Sequence, residues 1–323
     1  MTTRDDLAPA PEAGTLTRRD LFVGAGMTAG AIAALGGVAG SAYTPAARAA
    51  VLKDRKYFAT YVALEVDGTY AGNLASAEGG EPVVVSSSPE LLVRYEPLRL
   101  RLGDTSGAVF KWIADTSRGV PQALPVSVIS CDFEGRENYR LSAQGVRPVS
   151  IMTDSLDAGA KDPFRFELTL QPTTSSHVLG TKSNSAVKLG LKSKGLFRSN
   201  FRLYIQGVDS AALPVRSIEP FGLRARADGV LVPTTLKFTM LFGSAAPLFT
   251  WMQSTLDRKG DARQAQLQML SGDLKTALAT VDLTGLTILR MSCPAQTGAD
   301  SFQHVEIECQ PSTLTFDMNE LAA

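Results

Sequence analysis

Residues 166–174 read FELTLQPTT and residues 305–313 read VEIECQPST, so a strand-like run closing on Gln-Pro and a polar turn is written twice, 139 positions apart. In the first, Phe166, Leu168 and Leu170 alternate with Glu167 and Thr169; in the second, Val305, Ile307 and Cys309 alternate with Glu306 and Glu308. A period of two with one apolar side is the pattern of a half-buried antiparallel strand. The same spacing recurs upstream. Leu64-Glu65-Val66-Asp67-Gly68 finds a counterpart in Leu203-Tyr204-Ile205-Gln206-Gly207, and Phe110-Lys111-Trp112 in Phe249-Thr250-Trp251, each 139 positions on. The two tryptophans therefore occupy one place in two units, with Gly68 and Gly207 at matching turns, and a tandem repeat is expected. Between these anchors the spacing slips, as at Leu102-Gly103 against Phe242-Gly243, in the way compensating loop changes would produce.

Within each unit the strand period dominates. Leu98, Leu100 and Leu102 alternate with Arg99 and Arg101, Phe164 precedes the first quoted strand in phase, and Leu236, Phe238, Met240 and Phe242 continue the pattern in the second unit. One segment per unit departs from it. Around Trp112, and from Pro247 to Leu256, apolar residues fall at helical spacing, the second behind a proline suited to a first turn. A hairpin follows, clearest where Gln264–Leu270 leads through Ser271-Gly272-Asp273 into Leu274–Val281. The expected fold class is mainly β: two tandem domains, each of two packed antiparallel sheets forming a sandwich or open barrel with one short α-helix. The expected boundaries are a leader over 1–49, domains over 50–172 and 200–323, and a linker over 173–199.

A chain of 323 residues accommodates two such domains, and 44% hydrophobic with 20% charged residues is ordinary globular composition. Lys+Arg and Asp+Glu both number 32, so no net field argues for nucleic acid or an anionic membrane. The linker carries Lys182, Lys188, Lys192, Lys194 and Arg198 without an acidic residue; it reads as a solvated connection, with polyanion contact as the competing reading. At the N-terminus, Thr17-Arg18-Arg19-Asp20-Leu21-Phe22 precedes an uncharged Gly/Ala-rich run to Ala47, and Ala47-Arg48-Ala49 offers small residues for cleavage. Arg18 and Arg19 resemble the pair of a twin-arginine export signal. That predicts a periplasmic or extracellular protein, with a retained membrane anchor, a cytoplasmic tail-like particle or an accidental Ala/Gly tail as the other readings, and membrane contact only through this segment.

Catalytic chemistry finds little material. Gly103-Asp104-Thr105-Ser106-Gly107 invites comparison with a two-lobed aspartic protease, but Gly243-Ser244-Ala245-Ala246 stands in the second unit, and no second carboxylate completes a dyad. His177 and His304 are the only histidines, too few for a multi-histidine metal site, and Cys131, Cys293 and Cys309 form no CxxC pair. Cys131 shares its face with Ile129 and Phe133 as a buried apolar residue would; a Cys293–Cys309 disulfide is left open. No glycine-rich phosphate loop leads from a strand into a long helix. The chain is read as a non-enzyme with no catalytic, metal or cofactor-binding residues and no cofactor.

The repeat unit is similar to the tail tube proteins of contractile bacteriophages, whose relatives include the haemolysin-coregulated protein of type VI secretion. The points of contact are the strand ending in Asp67-Gly68, a small-residue and acidic loop at Ser76-Ala77-Glu78-Gly79-Gly80 (Ser217-Ile218-Glu219 in the second copy), the short Trp-bearing helix, the hairpin behind it and the closing Glu-rich strand. The resemblance covers nearly all of residues 57–172 and 200–316. It implies six units in a ring, hence a pseudo-hexameric trimer of two-unit chains, other tail-like or envelope components as partners, and a structural role. Two departures stand against it: phage tube proteins lack export signals, and Pro220-Phe221-Gly222 replaces a small-residue turn. The alternative function is a secreted β-sandwich binding module for glycans or surface proteins.

Overall fold

The computed structural model describes residues 61–86, 92–132, 135–179, 195–208, 212–260, 262–293, 303–318 and 321. Asp67 and Gly68 take φ of 52° and 71°, the positive values that a two-residue primed turn requires. They join β1 (Tyr61–Val66) to β2 (Thr69–Glu78). There follow β3 (Pro82–Ser86), β4 (Leu92–Tyr95), β5 (Leu98–Thr105), α1 (Gly107–Ser117), β6 (Leu124–Cys131), β7 (Glu137–Thr153), β8 (Leu156–Asp157), β9 (Phe166–Gln171) and β10 (Thr174–Leu179). The second half runs β11 (Phe201–Ile205), β12 (Val215–Ile218), β13 (Gly222–Ala225), β14 (Leu231–Pro233), β15 (Leu236–Leu241), α2 (Ala246–Leu256), β16 (Arg263–Leu270), β17 (Ala277–Ser292), β18 (His304–Gln310) and β19 (Thr313–Asp317).

In the first half the strands close on themselves. The path β6-β1-β2-β5-β9 returns to its start because β7 pairs β6 through Glu137–Val146 and β9 through Arg147–Thr153. In the second half β11-β16-β17-β18-β15-β12 follows the same sequence of neighbours, and an isolated Leu203↔Leu213 bridge links its two ends. Closing a sheet in this way removes its bare edges.

The long strands make closure possible by bending at a glycine. Gly145 and Gly285 adopt φ of 59° and 61°. A Cβ there would lie 2.6 Å from the Thr173 hydroxyl and 2.5 Å from the Ser312 hydroxyl. Those hydroxyls instead donate to the glycine carbonyls, each at 3.2 Å. The Gln-Pro pair that ends each closing strand belongs to the same corner. Gln171 Nε2 donates to the Tyr95 carbonyl at 3.0 Å, and Gln310 Nε2 to the Pro233 carbonyl at 3.3 Å. The adjacent proline, with no N–H for the ladder, divides β9 from β10 and β18 from β19 while pairing along β7 and β17 resumes beyond it.

The buried faces match the alternation: Leu98, Leu100 and Leu102 are enclosed, as are Leu236, Phe238 and Met240, in one continuous apolar cluster that includes Trp112 and Trp251. The Trp112 indole N–H is satisfied by the Gln122 carbonyl at 3.1 Å, and the Arg263 guanidinium lies 4.7 Å from the centre of the Trp251 ring. Ala63, Ile129 and Cys131 form a separate small cluster.

Several local expectations differ from the structure. Ser76, Ala77 and Glu78 belong to β2 and are not a loop. Leu102 has Met240 as its counterpart, since Leu102 pairs Leu74 while Met240 pairs Val215; Phe242 leaves the alternation for an exposed 3-10 turn and meets Phe249 edge-on at 5.7 Å. Leu274, at φ 61°, lies in the turn before β17. Thr174–Leu179, read as the start of the linker, is β10, and residues 180–194 lie outside the described residues.

Candidate assembly interface

The two halves are joined as strands, not merely packed. On one flank of β7, β6 stops pairing at Val146, and β13 takes over from Ser150, with Arg224↔Ser150, Leu223↔Ile151 and Gly222↔Met152 in antiparallel register. The second half thus supplies a hairpin, β13–β14, that extends the sheet of the first. Thr153 fixes its end: the backbone N–H and the buried hydroxyl both donate to the Phe221 carbonyl, at 2.8 and 3.0 Å, and the hydroxyl accepts from Phe221 N–H at 3.2 Å. Gly222 is required by this approach, because a Cβ would stand 2.0 Å from the Ile151 carbonyl oxygen. In return the first half gives β8 to the edge of β12, with Ser217↔Asp157 and Ile218↔Leu156.

The end of α1 completes the joint. Ser117 Oγ donates to the Ala114 carbonyl at 2.8 Å and accepts the Phe316 N–H of β19 at 2.9 Å. The Phe316 ring, fully buried, meets Phe166 of the first half edge-on at 5.6 Å. Arg118 and Asp317 approach to 3.9 Å at the exposed rim, a contact of small energetic weight. Arg118, Arg147, Gln171, Val230, Leu231 and Thr313 are among the residues lining an open cleft of about 980 Å³ beside this joint.

The residues singled out from sequence are scattered. Gly68, at positive φ, turns the β1–β2 hairpin, Gly207, also at positive φ, follows the end of β11, and Trp112 and Trp251 sit in the core rather than at a surface. Arg18 and Arg19 lie outside the described residues, as do Lys182, Lys188, Lys192 and Lys194. Arg198 is engaged within the fold, donating to the Ser155 carbonyl at 2.7 Å with Asp162 at 3.6 Å. Asp104 is exposed near the end of β5, and Ser106 precedes α1 without a side-chain cap. His177, on β10, bonds to the Tyr139 hydroxyl, and His304 Nε2 accepts from Arg216 at 3.1 Å on another strand.

Cys131 and Cys309 are buried and Cys293 is exposed; burial pushes the Cys309 thiol up to about 12. Cys309 faces Ile288 across the sheet, so Cys293 is several rows away and no disulfide joins them. Among the described residues no three His, Cys, Asp or Glu side chains gather as metal ligands would, and no helix is long and apolar enough to cross a membrane. The Arg140 guanidinium is shifted up by hydrogen bonds to Glu137 and Glu65 and ties β7 to β1 across β6.

No family model matches the chain, and no curated protein does. Solved structures do. The cap of the anti-feeding prophage, a tube-terminating cap, aligns over 43% of this chain and 97% of that one, at 8% identity and a TM-score of 0.28. A chain of the sheath–tube complex of the PVC extracellular contractile injection system, in its extended state, aligns over 43% and 99%, at 13% identity and a TM-score of 0.32. Hcp1 from Flavobacterium johnsoniae aligns over 37% and 96%, at 13% identity and 0.28. Each overlay takes in less than half of this chain and nearly all of the other.

The strand pairing of the joint does not show in the sequence. Pro220-Phe221-Gly222 departs from a small-residue turn in a way that would reshape one interface, and its glycine, where a strand should carry a side chain, is the signal of close backbone approach.

Proposed function

We propose that this chain is a non-enzymatic structural protein of a ring or tube, built as a tandem duplication of one subunit and self-associating head to tail. The observation that carries the reading is the joint itself: the β13–β14 hairpin of one half pairs the open flank of β7 in the other. A contact that uses different surfaces on its two sides is heterologous, and repeated by rotation it closes a ring. The matching order of strands, the paired glycine bends and the paired Gln-Pro corners support duplication. Two units per chain and six per ring give three chains, a pseudo-hexameric trimer. The Arg18-Arg19 segment supports export by the twin-arginine route, so the ring would work outside the cytoplasm, with further tail-like or envelope components as partners.

A second reading, a secreted binding module, is favoured by the cleft of about 980 Å³ between the halves, large enough for a small glycan. Negative-stain images of the purified chain separate the two. Annuli or stacked tubes are expected; uniform single two-lobed particles would reject the ring.

A further inference from the structure

The two faces that meet inside the chain have counterparts at its outer ends. In the first half, β3–β4 occupies the place of β13–β14: Glu96 N–H donates to the Glu81 carbonyl at 2.8 Å as Thr234 N–H does to the Gly222 carbonyl at 2.9 Å. Yet among the described residues this hairpin pairs only with itself, and Val84 is 60% exposed. Beside it β10 holds the place of β19, ending in Val178 and Leu179 at 53% and 82% exposure. At the opposite end, β17 beyond Leu286 has β18 on one flank and, among the described residues, nothing on the flank where β7 receives β13. Leu289 is 51% exposed there, and Leu256, which stands where α1 carries Ser117, is 63% exposed.

We propose that a second copy of this chain covers these faces: the β3–β4 hairpin and β10 of one copy seat on the β17 edge and the end of α2 of the next. The proposal rests on the ring reading above and names the surface that closes it. Continuity with the joint inside the chain selects the occupant, because each of these exposed surfaces is the counterpart of one engaged there. The two joints differ chemically. Where β13 begins with Gly222 and Leu223, the first-half hairpin has Glu81, just before β3, and Pro82; glutamate brings a Cβ that the Gly222 approach forbids, and proline has no N–H to give the ladder. The joint between chains therefore relies more on the exposed valines, Leu179 and Leu256 than on backbone hydrogen bonds. Rings built so separate into whole chains, not into half-chains.

The test uses the full chain carrying Cys293→Ser, with Val178→Cys and Leu256→Cys, treated with a short bismaleimide. Bands at two and three chains are expected on a denaturing gel from the double variant and from neither single variant. Independently, Val84→Lys places a charge in the joint and is expected to weaken ring formation about tenfold or more. Its far-UV circular dichroism stays that of the parent, since the side chain is already exposed in a single chain. Rings that form without cross-links and survive Val84→Lys overturn this joint and leave the ring reading standing. A parent chain that stays single at every concentration overturns both.

Discussion

Individual residues decide where the chain can bend and where it can be approached. Gly145 and Gly285 turn the long strands, and Gly222 admits a neighbouring carbonyl that any side chain would strike. Gly222→Ala is expected to lose about 3 kcal/mol of stability by urea unfolding, the cost of forcing atoms into a filled space. Gly243→Ala, with open space around the added methyl, should stay within about 0.5 kcal/mol. Thiol chemistry gives a second residue-level expectation. Of three cysteines, only exposed Cys293 should react rapidly with a thiol reagent at pH 8; buried Cys131 and Cys309 should wait for unfolding. Three fast thiols in the native chain would contradict the packing described.

Asp273 supplies a pH test: hydrogen bonds from the Ser271 hydroxyl and the Lys275 N–H hold its carboxyl below the ordinary value. A lowered folded pKa means that its support of the β16–β17 turn is full above the ordinary carboxylate value and is lost as pH falls through the lowered one. An NMR titration of its side-chain carbon showing an ordinary midpoint would remove that role. From sequence, Gly68 and Gly207 were legible because turn glycines sit between alternating runs. Gly145, inside Ala143-Gln144-Gly145-Val146, was not: the buried face slips there by one residue, from Leu141 and Ala143 to Val146 and Pro148, and a slip of one residue inside a long strand does not by itself announce a bend.

At the level of elements, what alternates strictly was readable and what borrows its partner from far away was not. β5, β9, β15 and β18 each show a clean apolar face, and the helix at Pro247 announces itself by a proline at the start of α2. β10 reads TSSHVL, polar enough to pass for a linker, and holds its place through pairing with β7. β13 and β14 are four and three residues long and gain their sheet only from the other half of the chain. β19 is the element on which the two halves rest most visibly. Phe316→Ala should cost about 3–5 kcal/mol, as for a fully buried ring, and chemical denaturation should show it. A change below about 1 kcal/mol would mean that the Phe316–Phe166 contact is incidental to the joint.

For the whole molecule, one chain contains a complete joint and, on the proposal above, the two faces of a second. The first is visible as continuous strand pairing from β7 to β13 and from β12 to β8. The second is visible as exposed apolar side chains on β3–β4, β10, α2 and β17. Exposed strand edges and apolar patches of this kind promote association unless something covers them. In the proposed ring of three chains, one repeated contact would cover all of them and leave no open end. Multi-angle light scattering on the purified chain across a micromolar concentration series measures this directly. The account predicts a species of three chains that dissociates on dilution straight to single chains; a monodisperse single chain throughout the series would contradict it.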